Sequence, residues 1–283
     1  MMSPLRIEII PAPGIVEQVK ALVPRTITLS VTCLPHHGLE RTVRTAVELS
    51  DGGYTVVPHL AARSIGNRAE LTGIVRGCDA AGIREVFVIG GDRKQPAGAY
   101  DSALPVLEDI AQYTGGLMRA GVAGYPEGHP LVSPVDLLDG LLAKQHLATH
   151  VVTQMCFSAD TIHHYAALLR HEGLNLPVWA GVAGPVPRTK LVALATQIGV
   201  GSSLKFLSRK GPLARKLLSG DRYSPDSLIT ELGSQPGKLA GVHLYSFNSL
   251  DSIPGLPKSE EPGNTSTTAA LQPTSIRGAA RDH

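Results

Sequence analysis

The chain has 283 residues, 43% hydrophobic and 18% charged, enough to bury a large core in one domain or two smaller ones. Its 26 basic and 24 acidic residues leave a formal charge of +2 without a basic stripe, and with four Phe and one Trp for stacking the composition argues against a nucleic-acid partner. No apolar run reaches the roughly 18 to 20 residues of a membrane span, the opening M-M-S-P-L-R lacks a secretory pattern, and Cys33, Cys78 and Cys156 are too scattered for a disulfide framework or thiolate metal site, so a cytoplasmic protein is expected.

From Arg6 to Pro13 the sequence R-I-E-I-I-P-A-P predicts a first strand with one acid inside it. Side chains alternate along a strand, so Glu8 shares a face with Arg6 and Ile10 while Ile7 and Ile9 point the other way. Such a carboxylate is costly unless it has a partner or a task; an edge strand with Glu8 in water is the alternative. Ile15 to Val23 has helical spacing and Pro24 stops it. Thr26 to Thr32 is β-branched and reads as strand two. Leu39 to Asp51 is an amphipathic helix closed by Gly52 and Gly53, and Thr55 to Ala61 is strand three, with His59 near its end. Arg68 to Ala81 is helical. Strand four, Glu85 to Gly91, ends in glycine followed by Asp92.

A polar loop to Tyr100 precedes a helix from Ala103 to Tyr113 and a fifth strand, Ala120 to Tyr125, running into P-E-G-H-P. Ser133 and Pro134 form a helix start, Thr149 to Gln154 is strand six, and Ala159 to Glu172 a helix. Leu176 to Val182 is strand seven and Pro187 to Ile198 a helix. A basic helical segment spans Leu204 to Leu218, its charges running from Lys205 to Lys216. A Ser224-capped helix to Leu232 and an eighth strand, Gly241 to Phe247, complete the series.

Eight short apolar strands alternating with helical segments indicate parallel β-α units, since a parallel pair needs a crossover of about a dozen residues. Eight such units predict a (β/α)8 TIM barrel over residues 1–250. An open doubly wound sheet is the alternative, but no G-x-G-x-x-G follows the first strand. Residues 251–283 turn rich in Pro, Ser, Thr and Gly and read as a disordered tail.

A barrel carries its active site where strands end at their carboxyl side. The polar residues there are Glu8, Thr32, His59, Asp92, Tyr125 with Glu127 and His129, Gln154, and His243 with Tyr245 and Asn248. Each has a structural explanation, such as capping a helix or satisfying a loop. Polar side chains at nearly every strand end favour an enzyme over a non-catalytic barrel. The 11 histidines show no H-E-x-x-H or comparable spacing, so no metal is assigned, and the absence of G-x-S-x-G and C-x-x-C leaves acyl-enzyme and thiol chemistry unsupported.

The segments I-E-I-I-P, S-V-T, P-H-L, G-G-D, A-G-Y-P-E-G-H-P, V-T-Q-x-x-F and V-H-L-Y-S-F-N fall in an order that resembles the methylenetetrahydrofolate reductases over about residues 6–250, with 123–130 and 153–157 the most specific pieces. The resemblance implies a barrel that reduces a methylene group carried on folate to methyl, with NAD(P)H as hydride donor, usually through FAD. It implies that Glu8 is the general acid for opening the imidazolidine ring, a role that wants a carboxyl kept protonated by desolvation. Asp92 and Gln154 are then the pair on the pterin's amino and amide edge, Phe157 lies near the folate's aromatic arm, and Thr32, His59, Tyr125, Glu127 and His129 line the nucleotide or flavin side. Two departures stand out: Gly90 replaces an arginine usual in flavin-dependent members, and Ala143 a basic residue of the fifth helix. Losing cations that hold a pyrophosphate argues against tight FAD binding and for direct hydride transfer from NAD(P)H, as in the family's flavin-free branch, although Lys144, Arg93 or Lys94 could substitute. The flavoprotein remains the alternative, and a barrel that binds a pterin or nucleotide without catalysis the second. NADH and NADPH are not distinguished, and the oligomeric state is left open.

Overall fold

A computed structural model describes residues 4–187, 191, 222–235, 239–253 and 255–256. In chain order the elements are β1 (Leu5–Ile9), α1 (Ile15–Leu22), β2 (Thr28–Val31), α2 (Gly38–Asp51), β3 (Val56–Ala61), α3 (Arg68–Ala80), β4 (Glu85–Ile89), α4 (Ala103–Thr114) and β5 (Arg119–Gly124). They continue with α5 (Pro134–Lys144), β6 (His150–Thr153), α6 (Ala159–His171), β7 (Val178–Ala183), β8 (Val186–Pro187), β9 (Arg222–Tyr223), α7 (Asp226–Gly233) and β10 (Gly241–Tyr245). Strands β1 to β7 and β10 pair in parallel, each with its neighbour, and β10 closes on β1, giving the expected (β/α)8 barrel.

Alternation along each strand divides the molecule into two layers with different chemistry. Ile7, Ile9, Leu29, Val31, Leu60, Val86, Val88, Val122 and Val182 face outwards into one buried core with the helices. Each contributes about 1.5–3 kcal/mol by leaving water, so cohesion comes from this outer layer and the interior is released to hold polar groups. The interior side chains of β1 are accordingly Arg6 and Glu8. At the base of the barrel Arg6 is 2.6 Å from Glu85, Arg119 is 2.9 Å from the other Glu85 oxygen, and Arg6 lies 3.1 Å from His150 Nε2 with its guanidinium 4.2 Å above Trp179. This plug of paired charges fills the end of the barrel opposite the strand carboxyl termini.

The expected elements recur with small shifts at their ends, and three differences have physical reasons. The eighth barrel strand stops at Tyr245, because Phe247 and Asn248 adopt positive φ of 49° and 60° and turn the chain. Pro187, expected to open a helix, pairs as a short antiparallel strand with Arg222, adding a two-stranded ribbon that the sequence did not signal. Helix α7 begins at Asp226, with Ser224 Oγ accepting from the Asp226 amide at 3.3 Å. The basic segment 205–216 and residues 257–283 of the expected tail lie outside the described residues, as does most of the helix expected over 187–198. No helix among the described residues is long and apolar enough to cross a membrane.

Candidate active site

The turn after β10 fixes the end of β1. Asn248 Oδ1 accepts from the Ile10 amide at 2.8 Å and its Nδ2 donates to the Ile10 carbonyl at 2.9 Å, copying a neighbouring strand. The Ser246 hydroxyl and amide both donate to the Glu8 carbonyl. Glu8 is thereby held on β1 with its side chain inside the barrel mouth and 13% exposed.

Two histidines meet its carboxylate: Glu8 Oε2 lies 3.1 Å from His243 Nε2 and 3.6 Å from His59 Nε2. His59 Nε2 is also 2.7 Å from Ser30 Oγ, while His243 Nδ1 is buried without a partner. Registry explains the grouping, since Glu8 pairs with Ser30 on one side and Tyr245 on the other. Burial raises the Glu8 carboxyl above its ordinary value, opposed by the charge interaction with His59. The same burial pushes His59 down to about 4 and His243 to about 3. Burial thus disfavours the charged form of all three groups, raising the carboxyl and lowering both imidazoles.

The loops over the strand ends carry the other sequence candidates. Asp92 is exposed after β4; burial raises Cys33 and Tyr125 beside it, and the Asp92 charge adds a smaller push in the same direction. Gln154 is half-buried and its main-chain N–H donates to the Gly124 carbonyl at 2.7 Å. Gly181 allows this turn to pack, because a Cβ there would overlap the Thr153 carbonyl and the Tyr245 ring. Tyr245 in turn donates to the Thr153 carbonyl at 2.9 Å. Tyr125, Glu127 and His129 share the loop after β5, Tyr125 meeting His129 edge-on at 5.3 Å and Glu127 accepting from the Cys156 thiol at 3.5 Å. Thr32 is buried after β2, its amide donating to Ile9 at 3.0 Å.

The structure therefore places Thr32, Asp92, Tyr125, Glu127, His129 and Gln154 on the loops and strand ends of the mouth. His59, expected on the nucleotide side, sits inside the barrel against Glu8. Phe157 is buried edge-on to Tyr223 at 5.6 Å within a cluster of Met155, Ala183 and Val186, so it forms the wall of this region rather than a free platform. Ser30 and the basal residues Arg6, Glu85 and His150 were not singled out from sequence. Their signal was available: Arg6 lies two residues from Glu8 on the same strand face, and Glu85 opens a strand that is otherwise apolar.

The cations available for a flavin pyrophosphate can be followed individually. Arg63 gives its Nε and Nη2 to the Arg93 and Lys94 carbonyls, each at 2.6 Å, and Nη1 to the Asp101 carbonyl at 3.3 Å. Lys144 is half-buried, and desolvation lowers its ammonium. Ala143 is exposed and Leu141 buried, while Arg93 and Lys94 remain as exposed side chains. Among the described residues no cluster of three or more His, Cys, Asp or Glu side chains suits a metal ion.

A model of the methylenetetrahydrofolate reductase family matches residues 16–200. The chain is 22% identical over 190 residues to methylenetetrahydrofolate reductase 2 of Saccharomyces cerevisiae, covering 59% of this chain. It is 25% identical over 205 residues to a probable methylenetetrahydrofolate reductase (NADPH) of Caenorhabditis elegans, covering 68% of this chain. In both cases the match spans 30% of the relative's length. Among solved structures, an oxaloacetate acetylhydrolase superposes with a TM-score of 0.55 at 10% identity, over 88% of this chain and 76% of that one, a likeness of barrel fold alone.

Proposed function

The chain belongs to the methylenetetrahydrofolate reductase family, and from that premise we propose that it reduces methylenetetrahydrofolate to methyltetrahydrofolate with NAD(P)H, hydride passing to the folate without flavin. The observation that carries this reading is the buried Glu8 carboxyl between two imidazoles of low basicity. Opening the imidazolidine ring breaks a carbon–nitrogen bond, and the departing nitrogen must receive a proton as the carbon becomes an iminium. Glu8 supplies that proton. The iminium carbon then accepts hydride from the dihydronicotinamide, which leaves as NAD(P)+, and the methyl group is complete.

Asp92 and Gln154 orient the pterin through its amino and amide edge, and Tyr125, Glu127, His129 and Thr32 line the side from which the nicotinamide approaches. Holding donor and acceptor carbons together supplies much of the acceleration. Two features support direct transfer over a flavoprotein: the absent arginine at Gly90 and the commitment of Arg63 to main-chain carbonyls. The Caenorhabditis elegans relative, named as an NADPH enzyme, supports a pyridine nucleotide as donor. The test is a visible spectrum of the purified protein followed by folate-dependent oxidation of NADH and NADPH. A colourless, active protein is expected; stoichiometric flavin would overturn the direct route.

A further inference from the structure

The segment from Ala61 to Gly66 and the loop from Gly90 to Asp101 are fastened together along their whole length. At one end a Cβ on Gly91, at φ 88°, would lie 3.0 Å from Ala61 Cβ, so the two backbones are in contact. At the other end Gly98 packs so closely on the Gly66 peptide that no side chain fits. Between them lies Arg63. Its amide donates to the Gly90 carbonyl at 2.9 Å and its carbonyl accepts from Ala97 at 2.9 Å. Its guanidinium adds the bonds to the carbonyls of residues 93, 94 and 101.

A charged donor shared among three carbonyls is stronger than neutral pairing, and no other side chain offers that planar fork. Near the start of the loop it holds is Asp92, whose exposed carboxylate makes none of these bonds. We propose that Arg63 is the positioning residue for the folate-binding loop: it spends its charge on the loop's main chain and presents Asp92 to the pterin edge in one geometry. The role of Asp92 in this proposal rests on the functional reading above; the fastening of the loop does not. Ordering the loop before substrate arrives lowers the entropy cost of binding, so Arg63 acts on folate affinity rather than on the chemical step.

The experiment combines amide hydrogen exchange with folate binding in the full chain, using Arg63→Ala, Arg63→Lys, Asp92→Asn and the double variant Arg63→Ala/Asp92→Asn. Peptides covering 90–101 are expected to exchange at least about tenfold faster in both Arg63 variants, with barrel-strand peptides unchanged, because an ammonium cannot span three carbonyls. The dissociation constant for methyltetrahydrofolate, by calorimetry, is expected to rise about tenfold in Arg63→Ala and in Asp92→Asn, with the double variant little worse than either. Unchanged exchange in both Arg63 variants, or binding losses that multiply in the double variant, would overturn the proposal. Faster exchange with folate affinity unaltered in Asp92→Asn would instead remove the pterin reading of Asp92 and leave the fastening intact. If Arg63→Ala fails to fold, Arg63→Lys carries both measurements and is paired with Asp92→Asn.

Discussion

Glu8 Oε2 lies 3.1 Å from His243 Nε2, a contact between residues 235 apart in sequence that only closure of the barrel brings about. Both groups are buried, and desolvation raises the carboxyl while lowering the imidazole, which favours the neutral form of each. Glu8→Gln keeps the shape and the hydrogen-bonding capacity but cannot donate a proton to the folate nitrogen. We expect a loss of roughly 10²–10⁴-fold in kcat, the range typical of a general acid, with the thermal midpoint maintained. Turnover within a factor of two of the parent protein would remove Glu8 from the chemistry.

The acid form of Glu8 is required, so activity should decline as pH rises through its elevated pKa. The alkaline limb of kcat should therefore be missing from the residual activity of Glu8→Gln. A limb that persists unchanged in that variant would contradict the assignment of the titrating group.

Stability carries its own pH signature. His59 and His150 are held down to about 4 and His243 to about 3 by burial, whereas each returns to about 6.5 on unfolding. Between pH 4.5 and 6 unfolding takes up protons at these three histidines, an uptake partly offset by release from Glu8, whose carboxyl is raised in the folded state. Stability therefore rises with pH in this window, each histidine adding up to about 1.4 kcal/mol per unit. Urea unfolding at a series of pH values measures the slope. His150→Gln, at the base of the barrel and away from Glu8, should lower it by up to about 1.4 kcal/mol per unit; an unaltered slope would show that His150 does not remain neutral.

The carboxamide of Asn248 splints the end of β1 through both polar atoms of the Ile10 peptide. Asn248 has φ of 60°, so Asn248→Gly keeps the turn available and removes only the amide. The cost should be about 2 kcal/mol for two lost bonds with one half-buried peptide left unpaired. Because Glu8 lies two residues earlier, kcat should fall several-fold while the KM for NAD(P)H holds. Full stability in the variant would mean that water replaces the splint without loss.

Much of this arrangement was legible in the sequence, for reasons that mark where such reading stops. Short apolar runs set between helical patterns announced the barrel strands, and Glu8 stood out because its neighbours Ile7, Ile9 and Ile10 are apolar. The mouth residues Asp92, Tyr125 and Gln154 followed from their places at strand ends. What local pattern cannot convey is pairing across a closed sheet. His59 and His243 look alike in sequence to His129, yet registry turns the first two inward onto Glu8 and leaves the third on a loop. Asn248 was grouped with the mouth, and its work proved to be holding main chain. The basal plug of Arg6, Glu85 and His150 was missed since each residue begins or nearly begins a different strand, and no spacing rule connects them.

Direct hydride transfer beside a protonated Glu8 is the central claim, and one isotope measurement tests it. The protein is supplied with methylenetetrahydrofolate and NAD(P)H deuterated at C4, each of the two faces in turn, and the product methyl group is analysed by mass spectrometry. Direct transfer predicts one deuterium per methyl from one labelled face and none from the other. Unlabelled methyl from both faces, with the deuterium recovered in water, is the outcome of passage through an exchangeable flavin N–H, and it would contradict the account.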